Sequence, residues 1–268
     1  MKIRINAIVG GVIVATVFGM GLLSIVWTPY DSLGLSLRDR FQSPSMVHLL
    51  GTDEFGRDIL SRILSGAGAS LVVALVTVFF AILAGTLLGI IAGYCRGLVD
   101  RVMMVANDAL LAFPGILLAL GVSVVTGANK YGIIVALGIA YTPATLRLVR
   151  GTVMSLRERE YIEASRVIGN SEITTMFRHI LPNCAAPLMV LATSMFGWVI
   201  LAESAMSFLG LGVPPPAPTW GNMLSSGRPF IESAPWLGIA PGMCIALTLL
   251  GINLLGDALR DWLDPRME

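Results

Sequence analysis

The sequence predicts an all-α membrane protein with six transmembrane helices, and three observations carry that prediction. Apolar residues make up 55% of the 268 residues, whereas charged residues make up only 13%, about half the ~25% found in ordinary soluble domains. Several almost uncharged runs reach about 20 residues, the length at which a helix crosses the hydrocarbon core of a bilayer. The net charge of +1 gives no basic surface for nucleic acid.

Six apolar segments are predicted to span the membrane: 7–27, 70–94, 102–126, 131–147, 184–208 and 237–255. The first follows Lys2 and Arg4. It is longer than the apolar part of a typical signal peptide and has no clear cleavage site, so it is predicted to remain as a span. In the third segment, Pro114 cannot donate a hydrogen bond to the carbonyl four residues earlier, which predicts a kink.

The polar segment 31–66 is predicted to be a loop outside the bilayer, with Thr52 or Asp53 capping a short helix that starts before Ile59. His48 and the nearby carboxylates lack the spacing of a metal site. The three cysteines are too scattered for a metal cluster or a disulfide framework; they are Cys95, Cys184 and Cys244. The sequence therefore predicts no metal site.

Small residues recur every four positions in the second span, at Ala81, Gly85, Gly89 and Gly93. This spacing puts them on one helix face, where they allow another helix backbone to approach closely. The favoured interpretation is helix packing, and a ligand-lining role is the alternative.

Two carboxylates fall within predicted spans, Asp108 in the third and Glu203 near the outer end of the fifth. An ionisable group at membrane depth is a candidate functional residue. Two interpretations stay open for each: a structural hydrogen bond to a neighbouring helix, and a role in the transport pathway or its gating.

A charged island at 151–183 interrupts the apolar pattern and cannot lie in hydrocarbon. Ser155 with Glu158 fits a capping box for a first short helix, and Gly169 predicts its left-handed end. Ser171 is predicted to cap a second helix that Pro182 ends. One face of that second helix carries the apolar residues Ile173, Met176, Phe177, Ile180 and Leu181. The pattern is typical of a helix–turn–helix at the membrane surface.

Within this island, Glu163-Ala164-Ser165, then Gly169, then Ile180-Leu181-Pro182 resembles the cytoplasmic EAA loop of bacterial ABC-importer permeases. Residues 49–70, 161–183 and 203–266 resemble the dipeptide/oligopeptide/nickel subgroup of that family. The resemblance implies a type I ABC-importer permease fold with a cytoplasmic coupling helix at 156–181. It assigns Glu163 to a polar contact with an ATPase, Ala164 and Ser165 to close approach, Gly169 to the turn, and Arg166 to the same docking segment.

The resemblance also implies the function and the partners. The chain is expected to form half of the pathway of an ATP-driven importer, with a homologous second permease, two ATPase subunits that hold ATP-Mg, and an extracytoplasmic substrate-binding protein. Di- and oligopeptides, nickel and glutathione are the candidate cargoes, and peptides are favoured. No P-loop occurs in the sequence, so neither catalysis nor a cofactor is expected in this chain.

The expected organisation is a first helix plus external loop at 1–66, a five-helix core at 67–256 with the EAA loop at 151–183, and a tail at 257–268. Most of the 18 basic residues fall on the side of the charged island, so the positive-inside rule predicts that both termini are cytoplasmic. This predicts a multi-pass protein of the bacterial inner membrane. The alternative function is a self-contained secondary transporter or channel, for which Asp108 and Glu203 are sparse support.

Overall fold

The computed structural model describes residues 2–263, with the side chains of residues 2–4 and 166 excepted. Its regular structure is helical, apart from an isolated bridge between Thr52 and Asp58. In chain order the α-helices are α1 (Lys2–Val26), α2 (Ile59–Cys95), α3 (Gly97–Leu111), α4 (Gly115–Thr126), α5 (Lys130–Arg157), α6 (Glu160–Val167), α7 (Glu172–Thr175), α8 (Leu181–Asn183), α9 (Ala185–Phe208), α10 (Trp220–Gly227) and α11 (Trp236–Leu263).

Five of the described helices are long and apolar enough to cross a membrane: α1, α2, α5, α9 and α11. The number is six if the bent pair α3 and α4 counts as one span. All six apolar segments predicted from the sequence therefore lie in helices, and the third is the one that is broken.

The break between α3 and α4 is sharper than the predicted kink. The two helix axes differ in direction by 92°, and Pro114 stands immediately before α4 with extended ψ. Proline lacks an N–H, and its ring disfavours helical geometry at Phe113. The helix therefore ends and restarts rather than bending.

The external loop ends earlier than predicted, because α2 begins at Ile59. The N-terminal cap of α2 is Asp58, whose Oδ2 accepts a hydrogen bond from the Ser61 N–H at 2.8 Å. The prediction of Thr52 or Asp53 as the cap is wrong, since Asp53 instead accepts the N–H of Arg57 at 2.9 Å within the loop. The expected division at residue 66 thus falls inside α2.

The core lies where α2, α5 and α9 meet, and its fully buried side chains include Ala81, Leu137 and Ile200. The first helix packs against α2 and α11, and α9 packs against α2 and α11. The C-terminal ends of α2 and α5 and the start of α9 form one end of this bundle. Residues 160–183, called here the surface hairpin, cover that end.

Candidate functional site

The surface hairpin is fastened to the bundle by buried apolar contacts. Ile162 and Ile180 are fully buried and pack in one cluster with Tyr94 of α2, Val153 of α5 and Cys184. This cluster joins the hairpin to α2, α5 and the segment that leads into α9, so the hairpin has a rigid seat.

Polar contacts tie the same helices together beside the hairpin. The guanidinium of Arg157, the last residue of α5, donates a hydrogen bond to the carbonyl of Tyr94 and lies 5.1 Å from the centre of its ring. Arg96, just after α2, donates to Glu158 at 3.1 Å. These contacts join the end of α2 to the end of α5 next to the hairpin.

The start of the hairpin differs from the prediction. Ser155 does not cap a new helix, because α5 continues through it to Arg157. The chain breaks at Glu158, which leaves the helical region as the cap of α5. The N–H of Ile162 then bonds to the carbonyl of Arg159 at 3.0 Å, where α6 begins.

The two faces of α6 separate the predicted coupling residues. Glu163 and Ala164 are exposed, whereas Ser165 is buried. The Ser165 hydroxyl lies 3.2 Å from Thr175 Oγ1 and accepts a hydrogen bond from the Asn170 side chain at 3.0 Å. Ser165 therefore permits close approach between the two arms of the hairpin, which corrects the expectation that it faces a partner. The side chain of Arg166 lies outside the described part of the structure.

Gly169 forms the turn as predicted, with φ at +91°. Its neighbour Asn170 donates its N–H to the carbonyl of Ser165 at 3.1 Å, which closes the end of α6. A Cβ at position 169 would meet nothing within 4 Å. The backbone conformation, rather than lack of space, therefore favours glycine here.

The second arm has the predicted cap, since Ser171 Oγ accepts the N–H of Thr174 at 3.2 Å. Pro182 does not end the helix, however. A π-helical turn at Met176–Ile180 widens the backbone ahead of it, and α8 follows directly. A wider turn is one way for a helix to tolerate the missing N–H of proline.

The π turn also divides the apolar stripe that the sequence predicts. It has more residues per turn than an α-helix, so it rotates Ile180 away from Phe177 and towards the side of Met176. Met176 and Ile180 pack into the bundle, whereas Ile173 and Phe177 are exposed. The single buried stripe predicted for this arm is therefore wrong.

The four most exposed large apolar side chains of the surface hairpin are Val167, Ile168, Ile173 and Phe177. We call them the exposed apolar set. Large apolar side chains exposed on a polar segment are candidates for contact with a partner. Periodicity alone did not reveal the set, because it assigned Ile173 and Phe177 to the buried face.

Glu203 is the most deeply buried carboxyl near the other end of the bundle, with no exposed surface. Its oxygens accept hydrogen bonds from Ser207 on the same helix at 2.7 Å and from Ser70 of α2 at 3.2 Å. The carboxyl thus bridges α9 and α2. This geometry matches the structural interpretation of the residue, and nothing in it shows a route to cargo.

Asp108 has a different setting. Its Oδ1 lies 2.5 Å from Nη2 of Arg147 on α5, and the two side chains are 57% and 56% exposed. A second pair, Asp100 with Arg150, joins the same two helices at 2.5 Å and is more buried. Asp108 therefore forms an ion pair with a neighbouring helix, and more than half of its side-chain surface remains exposed.

Three of the small residues predicted to share one face of α2 lie against α5: Gly85, Gly89 and Gly93. A Cβ at Gly89 would fall 2.7 Å from Val149 Cβ and 2.8 Å from the carbonyl of Leu146. At Gly93 it would fall 2.9 Å from Val153 Cβ. A Cβ at Gly85 would fall 2.9 Å from the carbonyl of Thr142, so this face lets the two backbones approach closely. Ala81 is also buried.

Comparison with known proteins adds to this geometry. The family model described as "Binding-protein-dependent transport system inner membrane component" matches residues 85–268. This chain belongs to that transport family. The match covers the surface hairpin, Asp108 and Glu203.

Individual members of the transport family match over almost the whole chain. The putative peptide transport system permease protein of Brucella suis is 44% identical, over 92% of this chain and 84% of the relative. The dipeptide transport system permease protein DppC of Alkalihalophilus pseudofirmus is 44% identical, over 98% and 86%. The glutathione transport system permease protein GsiD of Pectobacterium atrosepticum is 41% identical, over 98% and 87%.

A solved structure has the same fold as this chain. An inward-facing conformation of the MetNI methionine ABC transporter matches with a TM-score of 0.60 at 18% identity, over 76% of this chain and 96% of the matched chain. The helical architecture is therefore that of an ABC importer permease.

Proposed function

We propose that this chain forms one half of the translocation pathway of an ATP-driven importer for di- and oligopeptides or glutathione. Relatives with 41–44% identity carry peptide, dipeptide and glutathione permease names. The exposed apolar set on the surface hairpin supports the coupling part of this proposal. The chain itself supplies the path, and ATP hydrolysis belongs to separate subunits.

The partners follow from the same proposal. A homologous permease completes the pathway, and two ATPase subunits with ATP-Mg bind the two surface hairpins. An extracytoplasmic binding protein delivers the cargo. The exposed Glu163 supplies a polar contact at the edge of the apolar set, and the adjacent Ala164 leaves room for the ATPase surface.

The proposed orientation places the surface hairpin and both termini in the cytoplasm of a cell whose inner membrane the chain spans. The support is the distribution of basic residues along the sequence. A reporter fused after Gly169 is expected to be active inside the cell, and activity outside would reverse the orientation.

The mechanism requires the surface hairpin to transmit force. Closure of the ATPase subunits on ATP moves the hairpin, whose buried Ile162 and Ile180 carry the displacement into the ends of α2 and α5. The Arg157–Tyr94 hydrogen bond joins these two helix ends, so they move together. Tilting of these helices converts an inward-facing pathway into an outward-facing one. A hairpin that moved independently of the bundle would leave α2 and α5 where they were.

The test is reconstitution of the complete assembly in liposomes with ATP inside and a binding protein loaded with dipeptide outside. We expect uptake that requires ATP, and co-purification of the ATPase with this chain. Glu163→Lys should weaken the co-purification, whereas Asp257→Lys, an exposed carboxylate changed in the same way on α11, should not. Robust uptake by the lone chain without ATP would contradict the proposal.

A further inference from the structure

A groove of about 580 Å³ runs along the outer surface of the seam between α2 and α5. Val76 and Phe80 of α2 form one wall, and Ile134 and Ile139 of α5 form the other. Its lining is almost wholly apolar, and Lys130 stands at one end. None of the functional features described above uses this groove.

The dimensions of the groove suit a lipid chain. The lining follows α5 from Lys130 to Thr142, which is about 18 Å at 1.5 Å per residue. One leaflet of a bilayer contributes about 15 Å of hydrocarbon. The groove is therefore long enough for one acyl chain to lie along it.

Gly138 keeps the groove open. It lies in the lining on α5, and a Cβ built on it would meet nothing within 4 Å. The glycine is therefore not required for contact with another helix of the same chain. A larger side chain at this position would project into free space and fill part of the groove.

Lys130 places a positive charge at one end of the groove, which favours an anionic ligand. It is the first residue of α5, where the helix dipole is positive and disfavours a cation. No ion pair within residues 2–263 involves it. A negative group placed there would interact favourably with the ammonium and with the positive end of the helix.

We propose that this groove is a binding site for an anionic phospholipid, with one acyl chain along the α2–α5 seam and the phosphate at Lys130. The apolar walls bind the chain, and the ammonium selects the anionic headgroup. The site is independent of the cargo of the transporter, and it lies at the end of α5 opposite the surface hairpin.

The test uses the purified complete assembly in detergent, with phosphatidylglycerol and phosphatidylcholine of identical acyl chains as probes. We expect native mass spectrometry to show preferential retention of phosphatidylglycerol. Lys130→Gln should lower that retention about five-fold, because a basic residue near an anionic headgroup contributes about a factor of this size. Gly138→Leu should displace both lipids from the groove.

A second apolar groove provides the matched control. It is lined by residues of α4 and its preceding turn, such as Phe113, Leu117 and Gly121, and it has no cation. Gly121 also has open space at its Cβ position, so Gly121→Leu should leave phosphatidylglycerol retention unchanged. Melting temperatures of the three variants establish that each is folded.

Two results would overturn the proposal. One is equal retention of phosphatidylglycerol by the native assembly and by Lys130→Gln, which would show that the ammonium does not select the lipid. The other is efficient cross-linking of a Val135→Cys variant to the second permease, which would show that protein covers the groove.

Discussion

Replacing Phe177 by alanine should weaken the proposed docking of the ATPase about 30-fold. The side chain is 58% exposed, and a phenylalanine buries roughly 150–250 Å² when fully covered. Docking would then remove close to 100 Å² of apolar surface from water, of which alanine keeps a part. At about 25 cal/mol per Å² the loss is about 2 kcal/mol, which corresponds to about 30-fold in the dissociation constant.

The assay is titration of the purified ATPase subunit against the reconstituted permease pair, with ATP-driven dipeptide uptake measured in parallel. Phe79 on α2 is the matched control, because it is 61% exposed but lies on a membrane-spanning helix. Phe79→Ala should not alter the dissociation constant. If Phe177→Ala binds the ATPase as tightly as the native chain and transports at the native rate, the docking role of the exposed apolar set is refuted.

Substitutions at three further residues, Gly89, Glu203 and Asp108, test the contacts between the helices. Gly89→Leu should lower the stability of the chain by about 1–3 kcal/mol or more, because the Cβ of the new side chain would overlap α5. Gly121→Leu, at a position with open space around it, should not lower stability, and thermal melting in detergent compares the two variants. Glu203→Gln should remain near native stability, because its amide oxygen can accept from one serine hydroxyl while its NH2 donates to the other. Glu203→Ala should lose about 1–3 kcal/mol by leaving buried hydroxyls without a partner; equal melting of the two variants would contradict this. Asp108→Asn should change stability by no more than about 1 kcal/mol, because the ion pair between Asp108 and Arg147 is half exposed. If transport by this variant is also unchanged, a pathway role for Asp108 is excluded.

The sequence predicted the helices well because hydrophobicity dictates them. Each apolar run of about 20 residues can satisfy its backbone groups in a bilayer only as a helix. Local turn chemistry was equally informative, since Gly169 and Ser171 act as the residues predicted to end one arm and begin the next.

Features that depend on contacts between distant segments were not predictable. Ser155 has the right neighbours for a cap, but the packing of α5 against α2 extends the helix through it. Likewise, neither Thr52 nor Asp53 caps α2, because both side chains accept hydrogen bonds within the folded loop, from the N–H of Gln42 and of Arg57. Propensity ranks candidate caps, and tertiary contacts decide among them.

The candidate site shows the same division. The sequence placed the coupling residues in one segment, but it could not tell which of them face outward. Ser165 is adjacent to Glu163 and Ala164 and nevertheless points between the two arms, towards Thr175. The π turn at Met176–Ile180 has no clear sequence pattern apart from Pro182 nearby, so the exposure of Phe177 had to come from the structure.

The hydrogen bond from Arg157 to the last turn of α2 fixes one end of a very long helix. With 37 residues, α2 is about 55 Å long, so it reaches from the hairpin seat to the loop on the far side. A tilt of a few degrees at the anchored end swings the remote end through several ångströms. In the proposed assembly, a movement of the surface hairpin would therefore shift the opposite end of α2 directly, because a single helix joins the two ends.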